Sequence, residues 1–154
     1  MSVVGCTSMR PSKNEYYLDI ARAVARRSTC LRRQYGAVIV NHDEIIATGY
    51  NGAPRGDEDC LYNGICWREE NDIPHGAMYE MCISVHAEQN AIISAARSEM
   101  IGGTLYLAGF ENGREIVGPE PCVICSRMIQ NAGIKEVITN CGREANLIKT
   151  LCQA

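Results

Sequence analysis

The sequence predicts an α/β domain with helices on both faces of a mixed sheet. Two observations carry this: a hairpin-like pair of apolar segments in the first third, and a strand, helix, strand succession near the end. A third is size. At 154 residues and 46% hydrophobic content, the chain holds enough apolar material for one core and needs no second domain.

Ser12-Lys13-Asn14-Glu15 reads as a capping box opening a helix that carries Tyr17, Ile20, Ala21 and Val24 on one stripe and ends near Arg27. Ala37-Val38-Ile39-Val40 and Ile45-Ile46-Ala47-Thr48 flank the turn-rich Asn41-His42-Asp43-Glu44 and read as two antiparallel strands. Gly49-Tyr50-Asn51-Gly52-Ala53-Pro54 breaks the regular structure. Residues 55–81 show no strong period and read as a long irregular segment, which in a compact domain is functional or pinned by something. A helix over His86–Arg97, a strand at Thr104-Leu105-Tyr106-Leu107, a helix from Cys122 and a strand at Glu136-Val137-Ile138-Thr139 follow. The last three form a right-handed βαβ unit with parallel strands. There is no internal repeat or low-complexity tract.

Chemistry is concentrated in two segments, His86-Ala87-Glu88 and Pro121-Cys122-Val123-Ile124-Cys125. One His and two Cys are donors that zinc accepts in tetrahedral geometry, and a catalytic zinc keeps its fourth position open. Glu88 is then free to move protons. Cys122 and Cys125, three apart after a proline, suit the first turn of a helix, where both sulfurs share a face. His86 and Glu88 are two apart, which in mid-helix would set them roughly 200° from one another, so they must sit where the helix begins. Alone, Cys-x-x-Cys is also the pattern of a structural knuckle or a redox pair, and a lone His that of a satisfied imidazole. Their co-occurrence favours a catalytic zinc centre.

Nine cysteines without a basic n-region or long apolar run at the start point to reduced thiols and metal ligands in a cytoplasmic protein. No apolar stretch approaches the roughly 20 residues of a membrane span. A net charge of −3 and a pI near 5.6 argue against a nucleic-acid polyanion as partner. Cys30, Cys60, Cys66 and Cys82, with His75 as a further candidate, are expected to form a second, structural zinc site stapling the irregular segment; the other reading is independent buried thiols. Cys6, Cys141 and Cys152 carry no signal.

The segments Ser28-Thr29-Cys30, Gly36-Ala37-Val38-Ile39-Val40, Thr48-Gly49-Tyr50-Asn51-Gly52, His86-Ala87-Glu88-Gln89-Asn90-Ala91-Ile92 and Pro121-Cys122-Val123-Ile124-Cys125 together resemble the cytidine and deoxycytidylate deaminase superfamily. His-x-Glu with Pro-Cys-x-x-Cys is the signature of zinc deaminases of cytosine or adenine. Within it, Gly-Tyr-Asn-Gly and His-Ala-Glu-x-Asn-Ala resemble the deoxycytidylate (dCMP) deaminases. The resemblance implies a three-layer α/β/α sandwich and zinc-dependent hydrolysis of dCMP to dUMP and ammonia. It also implies a homo-oligomer, commonly a hexamer, with dCTP activating and dTTP inhibiting.

By the same resemblance, Glu88 is the proton shuttle and His86, Cys122 and Cys125 hold the zinc. Asn51 contacts the sugar, Ala87 and Pro121 the base, and Asn90 the nucleotide; the plain reading of Asn51 is a turn residue with positive φ beside Gly52. Candidates for the phosphate are Arg26, Arg27, Arg32, Arg33 and Arg55, which otherwise read as solvated charge. The chain departs from the family pattern in the long Ala108–Glu120 connection, expected to border the active site, and in the lack of a tyrosine-bearing segment after Thr139. Alternatives from other classes are a deaminase of cytidine, deoxycytidine or a related base, a base deaminase on tRNA or single-stranded DNA, and a non-enzymatic zinc-stabilised binding module.

Overall fold

The computed structural model describes residues 10–141, so the expectations for Cys6, Cys152 and the end of the tail fall outside it. Helix α1 (Lys13–Ala25) opens on half of the expected capping box: the Ser12 hydroxyl accepts from the Glu15 amide at 3.2 Å, while the Glu15 carboxylate accepts from Arg22 Nη1 at 2.6 Å instead of returning to the cap. Strands β1 (Arg33–Asn41) and β2 (Glu44–Tyr50) are longer than their apolar centres. They leave a two-residue turn, His42-Asp43, with φ of 48° and 63°. Positive φ at both positions is the hairpin geometry that follows strand twist. The Asp43 carboxylate accepts from the buried Tyr17 hydroxyl at 2.8 Å and pairs with Lys13, tying this turn to α1.

The irregular segment contains α2 (Cys60–Asn63), α3 (Trp67–Glu70) and a single 3₁₀ turn at Tyr79–Met81. Pieces of three or four residues are too short to show a period. Next come α4 (Ala87–Ile93), α5 (Arg97–Met100), β3 (Thr104–Glu111), β4 (Arg114–Glu115), α6 (Val123–Ala132) and β5 (Glu136–Thr139). The single helix expected over His86–Arg97 is therefore two. The Ser94 hydroxyl donates back to the Asn90 carbonyl at 2.8 Å, and Ala96 is extended (φ −76°, ψ 140°), so the backbone leaves the helix between them.

The sheet is mixed. β1 lies between β2 and β3, antiparallel to both; β5 runs parallel to β3, and β4 pairs antiparallel with the far end of β3. Alternation along the strands sorts the core into two layers. Ala37, Ile39, Leu105, Leu107 and Val137 pack with Ala87 and Ala91 of α4, Met100 of α5 and Ile129 and Ala132 of α6. Val38, Val40, Tyr106, Ala108 and Ile138 pack with Tyr17, Leu18 and Ala21 of α1. This is the expected α/β/α sandwich.

Two glycines set how closely helices approach the sheet. A Cβ at Gly36 would lie 2.2 Å from the Ala21 carbonyl oxygen of α1, and one at Gly49 would lie 2.3 Å from the Ala87 oxygen and the Ala91 nitrogen of α4. Both neighbours are backbone and cannot rotate away. We expect Gly49→Ala to push α4 off β2 and destabilise the fold by ~1–3 kcal/mol, the usual cost of overpacking. Thermal unfolding measures it; an unchanged midpoint would show that the contact is not limiting.

Candidate metal centre and its cavity

His86 is the N-cap of α4, in an extended conformation (φ −72°, ψ 155°), while Glu88 is in the first turn. Because His86 stands outside the helical spiral, it and Glu88 line one cavity despite their spacing. Three bonds hold the cap. The His86 amide donates to Gln89 Oε1 at 2.8 Å, and the residue before it, Val85, exchanges backbone hydrogen bonds with Gly52 at 2.8 and 3.1 Å. Cys122 is likewise the N-cap of α6, its sulfur accepting from the Cys125 amide at 3.4 Å. Pro121 thus precedes the cap and does not fill the first helical position.

The two helix starts meet. His86 Nδ1 lies 3.5 Å from Cys122 Sγ and 3.4 Å from Cys125 Sγ, and the three ligand atoms fall within 4.8 Å of one another. Bonds typical of zinc to sulfur and imidazole nitrogen, at a tetrahedral angle, would separate N from S by about 3.6 Å. The spacing fits. A single ring nitrogen carries at most one proton and cannot donate to both thiols, so the convergence is better satisfied by a shared cation than by hydrogen bonds.

Electrostatics agree with that. Burial pushes the Cys125 thiol far above its usual range, with the neighbouring Glu88 and Cys122 charges adding to it. Burial also lowers His86, helped by the charge of Arg68, so the imidazole is in the neutral form that ligates. A divalent ion removes the penalty on the thiolates. Glu88 is only 5% exposed; burial raises its carboxyl, while hydrogen bonds from its own amide and from Cys125 pull the other way. A buried carboxyl with a raised pKa is a better proton acceptor than a solvated one and can deliver the proton again.

The cavity has a volume of about 540 Å³ and is also lined by Asn51, Ala87, Tyr35 and Tyr79. Asn51 is bonded to β1 through both ends of its amide: Oδ1 accepts from the Tyr35 amide at 2.7 Å and Nδ2 donates to the Arg33 carbonyl at 2.9 Å. Its φ is not positive, so the turn-residue reading is corrected. Asn90 is not part of the lining; its Nδ2 donates to the Tyr50 carbonyl at 2.8 Å and ties α4 to the end of β2. Pro121 also stays outside the lining, whereas its neighbour Glu120, delivered by the Ala108–Glu120 connection, is on it. That connection is mostly regular: β3, a turn at Asn112-Gly113 and β4.

Of the phosphate candidates only Arg32 and Arg33 line the cavity; Arg26, Arg27 and Arg55 do not. Two lining residues carry no sequence signal. Tyr79 stands edge-on to the His86 ring (4.9 Å, 89°), and Arg68 is buried with its guanidinium over the Tyr79 ring at 5.0 Å. Both belong to the aperiodic segment, where nothing in the spacing marks a buried face.

Cys30, Cys60, Cys66 and Cys82 all line this cavity as free thiols. Burial raises the Cys60 thiol, and the charges of Cys30, Cys66 and Cys82 add to it, so the four are electrostatic neighbours. Among the described residues, however, only His86, Cys122 and Cys125 bring three ligand atoms within 4.8 Å. His75 Nδ1 is engaged by Arg33 at 2.8 Å.

Comparison with known proteins agrees with this centre. The family of the cytidine and deoxycytidylate deaminase zinc-binding region matches residues 11–141. A deoxycytidylate deaminase of Mycobacterium phage D29 is 40% identical over 134 residues, covering 84% of this chain and 94% of that protein. The deoxycytidylate deaminase of Schizosaccharomyces pombe is 38% identical over 129 residues, and there the chain spans only 37% of the relative's length. Among solved structures, the dCMP deaminase of cyanophage S-TIM5 in apo form is 30% identical with a TM-score of 0.59, covering 85% of this chain and 84% of that one. The same enzyme in complex with dCMP and dUMP aligns with a TM-score of 0.59 at 28% identity. Zinc fits the three converging ligands, and the chain belongs to the cytidine and deoxycytidylate deaminase zinc-binding family.

Proposed function

We propose that the protein hydrolyses dCMP to dUMP and ammonia. The observation that carries this is the juxtaposition of His86, Cys122 and Cys125 with the buried Glu88 in one cavity, in a chain 40% identical to a phage deoxycytidylate deaminase over nearly its whole length. Zinc bound by the three ligands supplies Lewis-acid activation of water. Glu88 takes a proton from the attacking water and delivers it to N3 of the cytosine; it then takes the proton of the hydroxyl formed on C4 and passes it to the exocyclic amine, so that ammonia leaves as the C4 carbonyl forms. Its burial makes each transfer direct. The small side chain of Ala87 lets the base approach the start of α4, whose first amides have no acceptor within the helix. Asn51 retains one lone pair and one N–H beyond its bonds to β1, enough to meet a sugar hydroxyl.

The same reading includes three further elements. Cys30, Cys60, Cys66 and Cys82, four cysteines that line the same cavity, hold a structural zinc, for which four thiolates would be a suitable donor set. The protein acts as a homo-oligomer in the cytoplasm; Leu61, Tyr62 and Val123, all more than half exposed, supply apolar surface for association. dCTP and dTTP act as effectors, a point supported by the family resemblance alone.

Glu88→Gln keeps the ligands and removes the shuttle, so zinc content is expected to persist while turnover falls by at least ~10²-fold, the lower range for loss of a general acid–base. Substantial turnover by the zinc-replete variant would exclude the assigned role. Metal analysis of the purified protein should give about two zinc ions per chain, with Cys60→Ser losing one and much of its stability, because metal-binding energy is folding energy here. One ion per chain after demetallation and reconstitution would reject the structural site. Finally, kcat/KM for dCMP should exceed that for deoxycytidine by at least ~10²-fold, since donors built for a phosphate go unpaired with the nucleoside. Equal values would overturn dCMP as substrate.

A further inference from the structure

The cavity is more positively charged than its three metal ligands and one carboxylate require. Arg32, Arg33, Arg68 and His75 all line it. Arg68 is the unusual member, with only 6% of its surface exposed. Nη1 donates to the Met78 carbonyl at 3.2 Å, Nη2 to the Pro74 carbonyl at 2.8 Å, and the Tyr79 ring lies beneath. Two carbonyls and a ring face orient a guanidinium without neutralising it. Among the described residues no carboxylate forms an ion pair with Arg68 or with Arg32, whose Nη1 goes to the Ile73 carbonyl at 3.0 Å. Arg33 alone is paired, with Glu111 at 2.9 Å.

A buried cation with no counter-charge is costly unless an anion completes it. The three guanidiniums converge on one stretch of chain: Arg32 Nη1 donates to the Ile73 carbonyl at 3.0 Å, Arg68 Nη2 to the Pro74 carbonyl at 2.8 Å, and Arg33 Nη1 lies 2.8 Å from His75 Nδ1, whose imidazole is lowered by burial and by these charges. The other carboxylates of the lining, Glu70 and Glu120, are exposed and pair with none of these arginines, and Glu88 belongs to the metal end. Reach is also right. Tyr79 touches Arg68 on one side and His86 on the other, so a ligand anchored at the arginines has to pass one aromatic ring to meet the metal ligands.

We propose that Arg68, with Arg32 and Arg33, binds the 5′-phosphate of the substrate, and that Arg68 is the residue that makes this enzyme select nucleoside monophosphates over nucleosides. This rests on the dCMP reading above. The Pro74 and Met78 carbonyls hold the guanidinium in place before substrate arrives, so little ordering is left to the binding step. The remaining Arg68 donors meet the phosphate oxygens in charge-assisted hydrogen bonds.

The test uses zinc-loaded wild type, Arg68→Met and Arg32→Met. It compares kcat/KM for dCMP and deoxycytidine, and the affinities for dUMP, deoxyuridine and inorganic phosphate by calorimetry. Each variant is expected to lose at least ~10-fold of the wild-type preference for nucleotide over nucleoside, the weight of a charge-assisted hydrogen bond, in both comparisons. Inorganic phosphate should bind the wild type, be displaced by dUMP, and bind Arg68→Met more weakly. If Arg68→Met fails to fold, Arg32→Met decides by the same ratio. A wild-type preference that survives in the folded variants overturns this assignment and leaves the dCMP reading intact; a wild type without preference overturns both. Phosphate that dUMP does not displace puts the arginine site out of the nucleotide's reach and overturns the assignment alone.

Discussion

The meeting of two helix starts on one face of the sheet is the constraint on which the site depends. α4 and α6 both pack on the layer formed by Ile39, Leu105, Leu107 and Val137, and both begin with a metal ligand in the cap position. A cap residue has extended dihedrals, so its side chain is not bound to the angular spacing of the helix that follows. That freedom lets His86 face the same ion as Cys122 and Cys125 while Glu88, two residues on, turns into the same space. The unpaired amides at each start add a field that favours thiolate and carboxylate. None of this holds if α4 moves, and the absence of a Cβ at Gly49 is what seats it.

How much of this was legible depends on whether a feature is local. The Ser12 cap, the two hairpin strands and the His86 and Cys122 segments are set by neighbours in the chain, and spacing alone located them. The split of the helix after His86 was not legible, because it turns on a rotamer: Ser94 could have pointed to solvent instead of bonding the Asn90 carbonyl. Asn90 itself reads as a motif residue but serves the joint between α4 and β2. Arg68 and Tyr79 lie in a stretch tied together by its own side chains, Arg68 reaching the Pro74 and Met78 carbonyls and the Tyr79 ring, and no period announces which of its side chains are inside.

The Ala108–Glu120 connection is built as an extension of the sheet. β3 simply runs on to Glu111, turns at Asn112-Gly113 with φ of 51° and 73°, and returns as β4. Two ion pairs hold it to the body of the protein: Arg22 of α1 with Glu115 at 2.7 Å, and Arg33 of β1 with Glu111. The Gly118 amide adds a bond to the Asn140 carbonyl at 2.7 Å. The strand edge is thereby covered, and the chain re-enters at Glu120 beside the metal ligands. Arg33 contributes to both the hairpin anchor and the cavity, so changes to this loop bear on the charge of the site as well as on its shape.

The metal ligands also say something about the order in which the chain must be assembled. His86 and Cys122 are 36 residues apart, with β3 between them. During synthesis His86 leaves the ribosome well before the Cys-x-x-Cys pair exists as a partner, and until β3 has docked beside β1 nothing brings α6 to α4. An ion held there would act like a cross-link closing a long loop, with the entropic advantage such closure gives the folded state.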